Sequence, residues 1–222
     1  MLTLNGNCYT KTLYKIIFLI AVSLVVSKLP AQCEAATFMF KAPETEIPVA
    51  IRVDSLFEMN KGTAATIDGN LCIDSPTLDI SCGKIIIPSS AIIMSNKVKT
   101  AMLHSKKWLN KTDYPNIVFE FNAVEKIIRS TGRIKDLLIR GDLTIKGTTK
   151  TALLPVKIIC DTGFDQINKA GITTPELSLV SSFSISRADF NIKPDVPSYI
   201  IDDTIFLDIH ICGVKTENTI AK

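Results

Sequence analysis

The stretch Gly141-Asp142-Leu143-Thr144-Ile145-Lys146-Gly147-Thr148-Thr149-Lys150 holds glycines, hydroxyls and lysines in the mixture that cradles phosphate. A phosphate loop needs four residues between its glycines and then Gly-Lys-Ser/Thr opening a helix. Here five residues separate Gly141 from Gly147, and Pro155 downstream opposes a helix. The stretch reads instead as strand, tight turn, strand, with Gly147 in the turn. Only two histidines are present, His104 and His210, too few to build a zinc site. His210 alternates with Ile209 and Ile211 and is expected to face outward. His104 falls off the apolar side of its segment, so both read as solvated. No Ser-His-Asp or Cys-His arrangement assembles from them, and Asp202-Asp203 sit in a loop. No catalytic residue, metal ligand or cofactor is assigned, and an enzyme is not expected.

Two further groups carry chemistry of a different kind. Cys72 and Cys82 flank the turn 74–79; an odd loop centred on Thr77 would set them opposite each other on the outer face, poised for a cross-strand disulfide. Cys160 has inward parity and Cys212 outward parity, so those two are not expected to pair. Arg187 shares the parity of Phe183 and Ile185 and should point inward near a strand end. A buried arginine needs a partner: either a ligand head group at a mouth, or an ion pair with Asp189 or another carboxylate. Trp108, the single tryptophan, is a core plug or a ligand platform on a segment that could lid the core.

The elements that must position these residues alternate with period two. Runs fall at 49–54, 66–73, 78–87, 117–124, 137–146, 152–160, 177–187 and 203–213. Their apolar residues keep one parity. Ile117, Phe119 and Phe121 share a face, as do Leu137, Ile139, Gly141, Leu143 and Ile145. Leu154, Val156 and Ile158, then Leu179, Phe183 and Ile185, then Ile205, Leu207 and Ile209 continue it. A single helix is expected after Ser95 as cap, with Val98, Met102 and Leu109 on its apolar face, ended by Tyr114-Pro115. Loops fall at 161–176 and 188–202. Short antiparallel strands with polar outer faces point to a sandwich or a closed barrel. Closure removes unpaired edges, and eight strands enclose a space either just filled by side chains or able to hold one small ligand.

Residues 1–35 stand apart. Lys11 and Lys15 precede an apolar run, Ile16 to Val26, shorter than the roughly 20 residues that cross a membrane. A positive start, a short apolar core and small residues describe a secretory signal peptide, with cleavage expected after Ala35. An uncleaved anchor, or a lipoprotein at Cys33, fits less well. Formal net charge is +3 at pH 7. Residues 1–35 hold Lys11, Lys15, Lys28 and Glu34, which leaves 36–222 near balance. That excludes the strong basic excess of a nucleic-acid binder.

Four segments together resemble the YceI-like family of exported proteins. The strongest is Gly141–Ile158, GDLTIKGTTKTALLPVKI; SKKWLNKTDYPNIVFEF at 105–121, IPSSAI at 87–92 and ISRADFNIK at 185–193 agree in order and spacing. Trp108 and Leu109 stand for the family's paired aromatics, and Ala188 and Asn191 for its serine and glycine. Lys99, Thr100 and Met102 take places where the family often carries Arg, Asp and His. The resemblance covers roughly 85–213. It implies an all-β, eight-stranded antiparallel lipocalin-like β-barrel with one short helix between strands 3 and 4, spanning 36–222. It also implies a periplasmic or secreted protein whose inward residues, with Trp108 and Arg187, wall a cavity for an isoprenoid or quinone-type lipid. The expected partner is an amphipathic lipid, with transient membrane contact and a homodimer as further options, and no nucleic acid. An exported interaction barrel without a lipid is the alternative.

Overall fold

The computed structural model describes residues 35–41, 48–74, 77–160 and 177–215. The expected signal peptide, apart from Ala35, and the loop 161–176 lie outside these residues. Eleven strands run in chain order: β1 (Ala35–Lys41), β2 (Val49–Ser55), β3 (Met59–Ala64), β4 (Asp68–Asp74), β5 (Asp79–Pro88), β6 (Ile92–Met94), β7 (Asn116–Thr131), β8 (Ile134–Ile145), β9 (Thr148–Cys160), β10 (Leu177–Ser186) and β11 (Ile201–Lys215). Among the described residues a single α-helix, α1 (Lys97–His104), lies between β6 and β7.

Eight of the strands close into a ring, β1-β4-β5-β7-β8-β9-β10-β11, sealed by β1 pairing with β11. All ladders are antiparallel. The ring count matches the eight alternating runs, but its membership does not. The run 49–54 is β2, which stands outside the ring; β1, unforeseen in sequence, takes the place. The wall forks at β11. Its residues 205–209 pair with β2, while 213–215 pair with β1. From β2 the sheet continues through β3 to β6. β3 and β6 also escaped the sequence reading, because Met59–Ala64 and Ile92–Met94 are too short or too irregular to alternate visibly.

β8 shows why the pattern produces the wall. Residues 135, 137, 139, 141, 143 and 145 are buried, and their alternates are not. Its turn into β9 is Lys146-Gly147, between the partners Ile145 and Thr148. Both turn residues have positive φ, 50° and 73°, the two-residue turn whose twist matches the strands it joins.

The helix departs from expectation. Its cap is Asn96, whose side chain accepts from Lys99 N, and not Ser95. It ends at His104, long before Tyr114-Pro115. Val98 and Met102 are exposed, whereas Leu109 is buried beyond the helix. With no buried residue of its own, α1 lies on the barrel and does not plug it. His104 is not simply solvated: its Nε2 sits 2.8 Å from Ile92 O. His210 is exposed, as its parity required.

The two ends of the barrel differ. At one end Phe38, Phe40, Ile73, Leu137, Ile158 and Leu177 are packed to 1% exposure or less. There the inward Lys135 reaches across to the β4–β5 turn, donating to Thr77 O at 2.9 Å and Asp79 Oδ1 at 2.5 Å. The second of these bonds is what holds Asp79 below the usual carboxylate range, helped by Thr77. Cys72 and Cys82 are register partners at the stem of this turn and are joined by a disulfide, Cα–Cα 4.9 Å. Cys160 faces inward opposite Leu177 and Cys212 lies opposite Ser178; the two are not bonded to each other.

Candidate functional site: an apolar cavity

Between the packed end and α1 lies a cavity of about 390 Å³, within the range of small-molecule sites, roughly 300–1,000 Å³. Its walls are the inward faces of the strands. Phe119 and Phe121 come from β7, Ile139 and Leu143 from β8, Leu154 and Val156 from β9. β10 adds Leu179, Phe183 and Ile185, and β11 adds Leu207 and Ile209. Trp108, half-buried after α1, and Arg187 complete the expected set. Leu137 and Ile158 do not line the cavity. They share its parity but sit nearer the packed end, at 1% and 0% exposure, where side chains from β1 and β4 fill the space. Parity tells inside from outside; it carries no information on depth.

Part of the wall was not anticipated. Val49, Ile51 and Val53 of β2, Leu71 of β4, Ile85 and Ile87 of β5 also face the cavity. The alternation of 49–54 marks it as a strand; nothing in sequence tells which wall it joins. Ser181 is inward and buried, and donates to Pro155 O at 2.7 Å. The β9–β10 ladder is confined to 157–160 and 177–180, so this hydroxyl serves a carbonyl that the ladder leaves behind.

Gly141 is a matter of close approach. A Cβ there would collide with the Phe119 ring and with Glu120 O, its β7 neighbours. The missing side chain makes room for Phe119, which lies over the glycine and turns its ring to the cavity wall.

Arg187 is 3% exposed. Its guanidinium donates to five main-chain carbonyls: Ile192 O at 2.9 Å, Val196 O at 2.9 Å, Ile201 O at 3.3 Å, Asp202 O at 3.4 Å, and Lys193 O. Five N–H groups are all an arginine has. The expected carboxylate partner is therefore replaced by the carbonyls of the loop 192–202, and Asp189 is not among them. Asp203 instead accepts from Ala188 N at 2.8 Å and from the Ser186 hydroxyl. The charge borders the cavity, but its donors are spent on shaping the loop.

At the other end the cavity meets the surface. Phe57 in the β2–β3 turn, Met102 of α1 and Ile200 line it and are also exposed. Lys99 Nζ lies 2.5 Å from Glu58, and both groups border the opening. Among the described residues, no group of three or more His, Cys, Asp or Glu is placed to hold a metal.

A family model described as the YceI-like domain matches residues 40–212, which take in every residue that lines the cavity. The chain belongs to the YceI-like family. Solved structures share the fold. Burkholderia cenocepacia BcnA is similar at 18% identity with a TM-score of 0.57, over 73% of this chain and 93% of that one. A Campylobacter jejuni YCEI protein is similar at 20% identity and a TM-score of 0.56, over 71% of this chain and 85% of that one. A polyisoprenoid binding domain from Saccharophagus degradans, implicated in plant cell wall breakdown, is similar at 8% identity and a TM-score of 0.57, over 82% and 99%. No curated protein matches the sequence.

Proposed function

We propose that this YceI-like protein is an exported lipid-binding protein that sequesters or carries an isoprenoid or quinone-type lipid, with its tail in the barrel. The observation that supports the reading most is the cavity: about 390 Å³, walled by aliphatic and aromatic side chains of β2, β4, β5 and β7 to β11. The likeness of the fold to a polyisoprenoid binding domain adds to it. Burying a methylene is worth about 0.8 kcal/mol. A ten-carbon tail thus gains roughly 8 kcal/mol before the cost of association, put at about 4–15 kcal/mol, is subtracted. Binding then depends on tail length and needs no reacting group. A periplasmic or extracellular location suits both the expected signal peptide and the Cys72–Cys82 disulfide, since disulfides persist in oxidising compartments.

The test is extraction and native mass spectrometry of protein purified from its own host. The expected result is a co-purifying long-chain lipid. Its absence, together with failure to take up added long-chain isoprenoids, would overturn the reading. Narrowing the tunnel with Ile139→Phe and Leu179→Phe should cost at least about tenfold in affinity, because about two methylenes lose their burial.

A further inference from the structure

Three segments meet at the open end. Leu56 N donates to Ile200 O at 2.9 Å, tying the β2–β3 turn to the loop before β11. Lys99 and Glu58 tie α1 to the same turn. Each segment presents large apolar side chains to solvent: Leu56 and Phe57, Val98 and Met102, Tyr199 and Ile200. Phe57 is 88% exposed and Val98 79%. Apolar side chains gathered this way mark a contact surface, and three of them are the cavity's own rim. The segment 89–112 around α1 adds Lys97, Lys99, Lys106, Lys107 and Lys111 without one aspartate or glutamate. In a domain near charge balance as a whole, these lysines make a local excess of cations in the segment around α1. Among the described residues only Lys99 of them is in an ion pair, with Glu58.

From this end of the barrel we propose that the protein docks on an anionic lipid bilayer, with Leu56, Phe57, Val98 and Tyr199 entering the interface and the lysines of 97–111 facing the headgroups. Apolar side chains set in a cationic surround bind membrane interfaces by burial together with attraction to anionic lipid. A second copy of the chain is a poorer occupant, because a two-fold contact would bring the lysines of both copies face to face. The inference rests on the cavity being a lipid site. An opening seated in the bilayer lets a tail pass between membrane and barrel without crossing water.

The experiment is flotation of the purified full-length protein with vesicles of phosphatidylcholine alone and of phosphatidylcholine with phosphatidylglycerol. Binding to the anionic vesicles is expected, weakening as ionic strength rises. Leu56→Asp with Phe57→Asp should lower it at least about tenfold, since two apolar side chains no longer leave water. Lys97→Glu with Lys106→Glu should abolish the preference for anionic vesicles. Ile128→Asp, at an exposed position on the far part of β7, should change nothing. The targeted side chains are exposed, so folding is preserved, and Phe57→Trp offers a second readout, a blue shift of the added tryptophan on mixing with vesicles. Absence of flotation with both vesicle types would overturn the proposal, as would binding indifferent to Leu56→Asp/Phe57→Asp, or a dimer in solution that buries Phe57. Lipid extraction separates the two readings. Protein that carries cargo but does not float refutes the docking alone; protein that floats but neither carries nor takes up lipid refutes the cavity site on which it rests.

Discussion

Single residues decide what the barrel encloses and how its packed end is held. Arg187 organises five carbonyls of one loop, and removing it leaves buried acceptors without donors. Arg187→Met should destabilise the protein by about 3 kcal/mol or more, measured by urea unfolding, while any lipid recovered keeps its identity. Asp79 gives a pH signature. Its carboxyl titrates below its ordinary value because Lys135 donates to it. It therefore adds stability that is present above the unfolded value, near 3.8, and lost as pH falls through the folded one. Asp79→Asn should flatten that acid-side loss, seen as Tm against pH. The effect should be small, because Asp79 is 62% exposed. Reducing the Cys72–Cys82 disulfide should cost about 2–3 kcal/mol, since it closes a short loop; mass spectrometry of the purified protein under non-reducing conditions should find the bond. At this scale, parity placed Arg187 inward, and a hairpin centred on Thr77 set Cys72 opposite Cys82; the pairing is there, but through a register shift beside Cys72 rather than an odd loop. What parity could not supply was the partner, because the acceptors of Arg187 lie in a loop whose path is set by the arginine itself.

Elements were legible where they alternate and hidden where they do not. β8 and β9 were legible over 137–145 and 152–160, though each begins three or four residues earlier. β6 is three residues long, and β1 lies next to the expected cleavage site, so neither stood out. The helix was found but misread at both ends: Asn96 rather than Ser95 supplies its cap, and its apolar positions face water at the mouth. An amphipathic pattern says that one side wants cover, not what provides it. β7 shows another element-level device. Its residues 116–120 pair with β5, whereas the remainder pairs with β8 alone. Three register shifts interrupt that stretch, and Glu125, Lys126 and Arg129 stand on it. Bulges and charges both discourage pairing with another chain. Replacing Glu125, Lys126 and Arg129 with valine should raise aggregation, read by light scattering on storage, with little change in Tm.

At the largest scale the barrel is asymmetric along its axis, packed and cross-linked at one end, hollow and apolar-rimmed at the other. An inward apolar set and a ring of eight could be counted from sequence; which strands make that ring, and the depth of each residue, could not. Leu137 and Ile158 read as cavity residues and are core, because β1, which fills that end, was invisible. Trp108, the only tryptophan, borders the cavity, so a quinone-type ligand should quench the intrinsic emission in proportion to occupancy. A titration that leaves the emission untouched while the ligand binds would place the ligand elsewhere.

The fork at β11 has a consequence in time. This strand completes the ring through β1 and carries the side sheet through β2, both from the opposite end of the domain. Neither arm of the wall can close until β11 has been synthesised, and contacts so distant along the chain form slowly. During translation the nascent domain therefore has no finished barrel until its last strand has emerged.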